Sequence, residues 1–117
     1  MLATLALIAT LVVAAAHLGF MVLEAILWAK PTGRRIFGQT EEEAEVTKVL
    51  AQNQGVYNGA LAVLIGWAAL TGRGPTVVAL LVFVIVVGIF GGLTAKRSIL
   101  LLQALPAAVA LALNIVA

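Results

Sequence analysis

Long apolar runs separated by short polar connections make up almost the whole of this chain. The first run covers residues 1–29 and contains only two ionisable side chains, His17 and Glu24. Three more runs contain no charged side chain: residues 49–72, 74–95 and 98–117. Each run reaches the roughly 20 residues that an α-helix needs to cross a hydrocarbon core. The pattern predicts an all-α integral membrane protein, a four-helix transmembrane bundle in a single domain, with helices over roughly residues 2–29, 41–71, 75–93 and 97–116.

The first connection, residues 30–40, divides into two parts. Pro31 to Gly38 contains helix breakers and is expected to be irregular. Thr40 and Glu43 have the spacing of a capping box, in which the two side chains bond each other's backbone N–H groups. The second helix should therefore start in water, near Glu41, before it enters the membrane.

Composition makes lipid the solvent for most of the surface. Hydrophobic residues fill 63% of the 117 positions, and charged residues fill only 10%. A soluble domain of this size keeps a large share of its surface in water and could not hide so much apolar area. The net charge is +2 and no basic cluster is interleaved with aromatic residues, so we expect no nucleic-acid partner. The first run is longer than the apolar part of a signal peptide and lacks a basic leader, so we expect it to be retained.

Lysine and arginine are distributed unevenly between the two sides of the predicted bundle. Of the seven such residues, Arg73 alone falls in the second connection. The others fall on the opposite side, in or beside the first and third connections: Lys30, Arg34, Arg35, Lys48, Lys96 and Arg97. Under the positive-inside rule, this bias places residues 30–40 in the cytoplasm and both termini outside.

Polar side chains on three of the predicted helices fall at one depth, in the cytoplasmic half of the membrane. Glu24 precedes Lys30 by about 9 Å of helix, at ~1.5 Å per residue. Gln103 follows Arg97 by the same six residues, which places it at about the same depth. The layer also contains residues of the second helix, with one histidine nearer mid-membrane: Gln54, Tyr57, Asn58 and His17.

Such groups cost free energy inside a membrane unless they are paired, so intramembrane ionisable residues indicate function. We interpret the layer as a pocket that opens to the cytoplasmic leaflet and binds a lipid-like or small amphipathic ligand, with Glu24 at its centre. Basic residues at its rim would hold an anionic head group: Arg34, Arg35, Lys96 and Arg97. The predicted ligand-binding residues are Glu24, His17, Gln54, Tyr57, Asn58, Gln103, Arg34 and Arg97.

Other interpretations of the same residues stay open. The amides are also typical of hydrogen bonds that hold membrane helices together, and the basic residues are equally explained by orientation alone. Glu24 with Tyr57 or His17 would allow acid–base chemistry if the side chains converge, which leaves enzymatic activity undecided. A lone histidine does not predict a metal site, and no cofactor is indicated. A structural or accessory subunit of another membrane protein is a further alternative.

Two glycine pairs have the spacing that lets membrane helices pack closely: Gly55 with Gly59, and Gly88 with Gly92. Together with the very small outer connections, they lead us to expect a homo-oligomer, either a dimer or a trimer, surrounded by membrane lipid.

Several short motifs resemble a family of small bacterial membrane proteins, the domain-of-unknown-function family 1304. They are His17-x6-Glu24-x3-Trp28, Gly33-Arg34, Phe37-Gly38, the block from Ala51 to Gly59, and Lys96-Arg-Ser with Gln103-x-x-Pro106. The resemblance covers nearly the whole chain and marks the same polar layer. It implies a multi-pass protein of a bacterial inner membrane, without naming an activity.

Two better-known architectures are similar in outline. The membrane-associated eicosanoid and glutathione metabolism family also has four helices and forms trimers that bind glutathione and lipid. Lys48, Ala51-Gln52 and Gln54 follow its second-helix pattern, but Tyr57 stands where that family has a glutamate. Small proton-coupled multidrug transporters likewise have four helices and one essential glutamate in the first, so a transporter of this type that uses Glu24 is an alternative function. Their balanced loop charges differ from the bias found here.

Overall fold

The protein is helical throughout, as the sequence predicts, and a computed structural model describes all 117 residues. No strand occurs. The α-helices are α1 (Leu2–Met21), α2 (Pro31–Phe37), α3 (Glu41–Leu70), α4 (Gly74–Thr94) and α5 (Leu105–Val116). Two π-helical segments, Val22–Ile26 and Leu100–Ala104, continue α1 and precede α5.

Two of the helices are long and apolar enough to cross a membrane: Leu2–Ile26, with 25 residues, and Gly74–Thr94, with 21. Leu100–Val116 is apolar but shorter. Helix α3 is the longest at 30 residues, yet the amide and tyrosine side chains of residues 52–58 lower its mean hydropathy. The four-helix transmembrane bundle therefore remains a prediction.

The first connection differs from the sequence-based expectation, because Pro31–Phe37 is a helix. Pro31 occupies the first turn, where its fixed φ suits a helix and its missing N–H is not needed. Gly38 ends the helix with φ of 65°, and the Gln39 N–H donates to the Arg34 carbonyl at 2.9 Å. This closure is a Schellman motif. Seven residues are too few to show a helical periodicity, which is why the sequence did not reveal α2.

The capping box at the start of α3 is confirmed. The Glu43 N–H donates to Thr40 Oγ1 at 3.2 Å, and the Thr40 N–H donates to Glu43 Oε2 at 2.8 Å. Two N–H groups that have no partner within the helix are thereby satisfied. Helix α3 accordingly begins at Glu41.

The chain divides into two units. Residues 17–62 form one, and residues 1–16 with 63–117 form the other. In the first unit, α3 approaches the π-helical segment so closely that a Cβ atom on Gly55 would lie 2.6 Å from the backbone nitrogen of Ala25. In the second unit, a Cβ atom on Gly88 would lie 2.9 Å from the backbone nitrogen of Ala104. Both glycine motifs are therefore used for packing within the chain, and oligomer formation stays a prediction without their support.

A polar contact in the second unit was not expected from the sequence. The Asn114 amide donates to Thr10 Oγ1 at 3.0 Å and to the Ala110 carbonyl at 2.8 Å. Thr10 is fully buried, and its hydroxyl donates to the Ala6 carbonyl at 2.8 Å. The contact joins α1 to α5 within this unit.

The close approach at Gly55 predicts different outcomes for two glycine substitutions in α3. Gly55→Ala should destabilise the protein by about 1–3 kcal/mol, because the new methyl group meets backbone atoms of Ala25. Gly66→Ala is the matched control: a Cβ atom there meets nothing within 4 Å, so the change should be neutral or stabilising by about 0.5–1 kcal/mol. Thermal melting in detergent measures both. Equal melting temperatures for the two variants would contradict this packing.

Candidate functional site

Glu24 lies in the π-helical segment Val22–Ile26. The segment closes with an i to i+5 bond, from the Leu27 N–H to the Val22 carbonyl at 3.0 Å. A π-helical turn holds one residue more than an α-helical turn, so it changes the direction of the side chains around it. Such turns are frequent at functional sites.

The carboxyl group of Glu24 is bound to helix α3. Asn58 Nδ2 donates to Glu24 Oε2 at 2.6 Å, which is a short, strong hydrogen bond. Asn58 is 7% exposed, whereas Glu24 is partly exposed. The buried amide thus fixes a carboxyl group that still reaches the surface of this unit.

An open groove of about 490 Å³ runs beside this pair. Its lining mixes one carboxyl group, two amides, two hydroxyl groups and an indole with apolar side chains: Glu24, Trp28, Thr47, Leu50, Ala51, Asn53, Gln54 and Tyr57. Tyr57 is 68% exposed, and Gln54 and Asn53 are exposed as well. We refer to this feature as the Glu24 groove. It combines polar groups that can fix a head group with apolar groups that can contact a chain.

Trp28 is held in place from two sides. Its Nε1–H donates to Thr47 Oγ1 at 3.0 Å, and its ring centroid lies 4.5 Å from that of Phe37 in α2. Gly33 of α2 lies against the Leu27 and Trp28 carbonyl groups, where any side chain would clash. Helix α2 therefore packs on the end of the first helix and positions the indole.

Trp28 also lines a second, smaller cavity of about 250 Å³. We call it the basic cavity, because its lining contains two lysines: Ala25, Ile26, Trp28, Ala29, Lys30, Glu45, Lys48 and Gln52.

The other predicted residues of this unit lie outside both cavities. His17 is 1% exposed, and its ring meets Phe20 edge-on, with centroids 5.3 Å apart. Arg34 pairs with Glu41 at 3.2 Å. The arginine therefore ties α2 to the start of α3 instead of lining the groove.

Gln103 and Arg97 belong to the unit formed by residues 1–16 and 63–117. Gln103 lies in the π-helical segment Leu100–Ala104, where the Leu105 N–H bonds the Leu100 carbonyl. Pro106 follows in the first turn of α5, where it has no N–H to donate to the preceding turn. Arg97 is exposed in the preceding connection. The expectation that Gln103 and Arg97 share a site with Glu24 stays a prediction.

Five of the residues that line the groove were not among the predicted ligand-binding residues: Trp28, Thr47, Leu50, Ala51 and Asn53. Trp28 lies near a helix end, where an aromatic ring is usually an anchor at the membrane interface, so its residue type alone does not indicate a ligand site. The Thr47 hydroxyl donates to the Glu43 carbonyl at 2.8 Å. Threonines in helices commonly make this bond, so Thr47 does not stand out in the sequence. The signal for Trp28 was its spacing, since it follows Glu24 by one helical turn.

Comparison with known proteins places the chain among proteins of unknown function. A family model described as "Protein of unknown function (DUF1304)" matches residues 11–115. An uncharacterized protein, YpaA of Lactococcus lactis subsp. lactis (strain IL1403), is 32% identical over 103 residues, which cover 85% of this chain and 87% of that protein. No solved structure matches.

The short bond between Asn58 and Glu24 predicts an unequal effect of two asparagine substitutions. Asn58→Ala should lower the free energy of unfolding by about 1–3 kcal/mol, because it leaves a part-buried carboxyl group without its donor. Asn53→Ala, on the same helix but exposed, should change it by less than about 0.5 kcal/mol. Melting of both variants in one detergent provides the comparison. A loss at Asn58 no larger than at Asn53 would show that the bond does not stabilise the fold.

Proposed function

The chain belongs to the DUF1304 family, whose members have no known function, and we propose that it is a multi-pass membrane protein that binds an amphipathic molecule in the Glu24 groove. The observation that carries the proposal is a carboxyl group, fixed by Asn58, beside an open groove of mixed polar and apolar lining.

Exposure of the apolar helices supports the membrane location. Only 28% of the most apolar window is buried in each of the two long apolar helices. A core helix of a soluble protein would be mostly buried, and soluble monomers rarely expose large contiguous apolar patches. Large side chains such as Val12, Phe83, Val86 and Phe90 are instead exposed. Lipid is the solvent that such surfaces require.

Two further crossings complete the proposed topology. Helix α3 is about 45 Å long at ~1.5 Å per residue, enough to cross the membrane and extend into water at its acidic start. Leu100–Val116 is about 25 Å long by the same measure, close to the ~30 Å of a hydrocarbon core. With six of seven basic residues on the side of the first and third connections, residues 30–40 lie in the cytoplasm and both termini lie outside.

The groove then opens sideways, near the cytoplasmic boundary of the membrane. A molecule entering from the leaflet would meet the polar groups of Glu24, Gln54 and Tyr57 and the apolar side chain of Leu50 in one groove. Carboxyl and amide oxygens accept hydrogen bonds, so a head group with N–H or O–H donors suits this lining best. The proposal is one of binding, and the residues present require no reaction.

Native mass spectrometry tests this proposal on protein released from its own membranes. Wild-type protein should retain an amphipathic molecule. Glu24→Gln removes the carboxylate but keeps the size and one acceptor oxygen, and it should reduce retention by about tenfold, the equivalent of one charge-assisted hydrogen bond.

A groove-filling variant gives an independent check. Leu50→Trp places an indole in the groove, so it should also prevent retention of the amphipathic molecule. Leu70→Trp is the control, since Leu70 is on the same helix and equally exposed, at 69% against 73% for Leu50, but lies outside the groove. Wild-type protein without a retained molecule, or retention that Leu50→Trp leaves unchanged, would contradict the proposal.

A further inference from the structure

The basic cavity brings together charged residues from two parts of the chain. Lys30 follows the last residue of the first apolar run, whereas Lys48, Glu45 and Gln52 lie on α3. The remaining wall consists of small and apolar side chains and the Trp28 indole. With two lysines and one glutamate, the lining has an excess of positive charge.

The only ion pair within this lining is weak. Lys48 Nζ lies 3.7 Å from Glu45 Oε1, three residues away on the same helix, and both side chains are about half exposed. Pairs of this kind contribute little to stability, because water screens them and both side chains lose freedom. Lys48 is therefore available to a stronger anion, and Lys30, which is exposed, lines the same cavity.

We propose that the basic cavity binds a phosphate group. The two lysine ammonium groups and the Gln52 amide can donate several hydrogen bonds, and phosphate offers acceptor oxygens on all sides. A cavity of about 250 Å³ has room for the group and for what is attached to it. The phosphate comes either from a phospholipid head group or from solution. Both sources share the same recognition chemistry.

The basic cavity differs from the basic rim that the sequence predicts, which consists of Arg34, Arg35, Lys96 and Arg97. Arg34 is occupied by Glu41, and neither it nor Arg35 lines the cavity. Lys30 instead stands where the apolar run ends, the level at which basic pockets on membrane proteins meet lipid head groups. Ala25, Ile26 and Ala29 lie on the apolar side of the cavity.

Replacing Glu45 should change the phosphate affinity in the opposite direction to replacing the lysines. Its carboxylate neutralises Lys48 in the empty cavity and repels an incoming anion. Removing it should strengthen phosphate binding, whereas removing the lysines should weaken it. A gain of affinity cannot arise from misfolding.

Isothermal titration of the full-length protein in dodecyl maltoside, which contains no phosphate, tests the site. The probes are inorganic phosphate and dihexanoyl-phosphatidylglycerol, each at physiological ionic strength. We expect Lys30→Gln with Lys48→Gln to lower the affinity at least about tenfold, and Glu45→Gln to raise it a few-fold. Arg73→Gln is the control, because this exposed basic residue does not line the cavity.

The two probes identify the source of the phosphate. Binding of both supports a site open to free phosphate, and binding of the lipid alone supports a head-group site. The proposal is overturned if neither probe binds, if Arg73→Gln weakens binding as much as the cavity variants, or if Glu45→Gln weakens it.

Discussion

Helices covered with apolar side chains leave few places for a polar group, and this constraint organises the molecule. A polar group that faces lipid without a partner costs several kcal/mol. Three side-chain pairs within the two units meet the requirement: Asn58 with Glu24, Trp28 with Thr47, and Asn114 with Thr10. Threonines near helix ends find a partner within their own helix, since the Thr71 and Thr94 hydroxyls each donate to the carbonyl four residues earlier. Polar residues thus act first as connections between helices, and only the exposed groups beside them remain for a ligand.

Small residues and π-helical turns make these connections geometrically feasible. Gly55 lets α3 approach the backbone at Ala25, which brings Asn58 within reach of Glu24. The second unit repeats the arrangement, with Gly88 of α4 against Ala104 in the other π-helical segment. In both cases a glycine faces a widened turn that contains a polar residue, Glu24 or Gln103. The groove and the basic cavity lie on the surface left where α3 meets the first of these turns.

The sequence predicts the regular parts of this structure well, because they follow from local rules. The helical class, the start of α3 at its capping box, and Glu24 with Asn58 as polar residues of interest all come from pattern, spacing and depth. The features that the sequence does not predict depend on tertiary contacts. Helix α2 is too short for periodicity, the π-helical turns have no single-sequence signature, and Trp28 acquires its position from Thr47 and Phe37. The charge pattern likewise predicts a basic side of the bundle, but it does not predict that Lys30 and Lys48 line one cavity.

The central claim is that lipid surrounds these helices and that the first connection is cytoplasmic. The chain contains no cysteine, so single substitutions at exposed positions give clean labels for a membrane-impermeant maleimide. We predict that Thr32→Cys reacts only when the cytoplasmic face is open, and that Arg73→Cys and Ala117→Cys react from outside in intact cells. Reaction of Thr32→Cys from outside, protection of either other position there, or recovery of the protein in the soluble fraction would contradict the account.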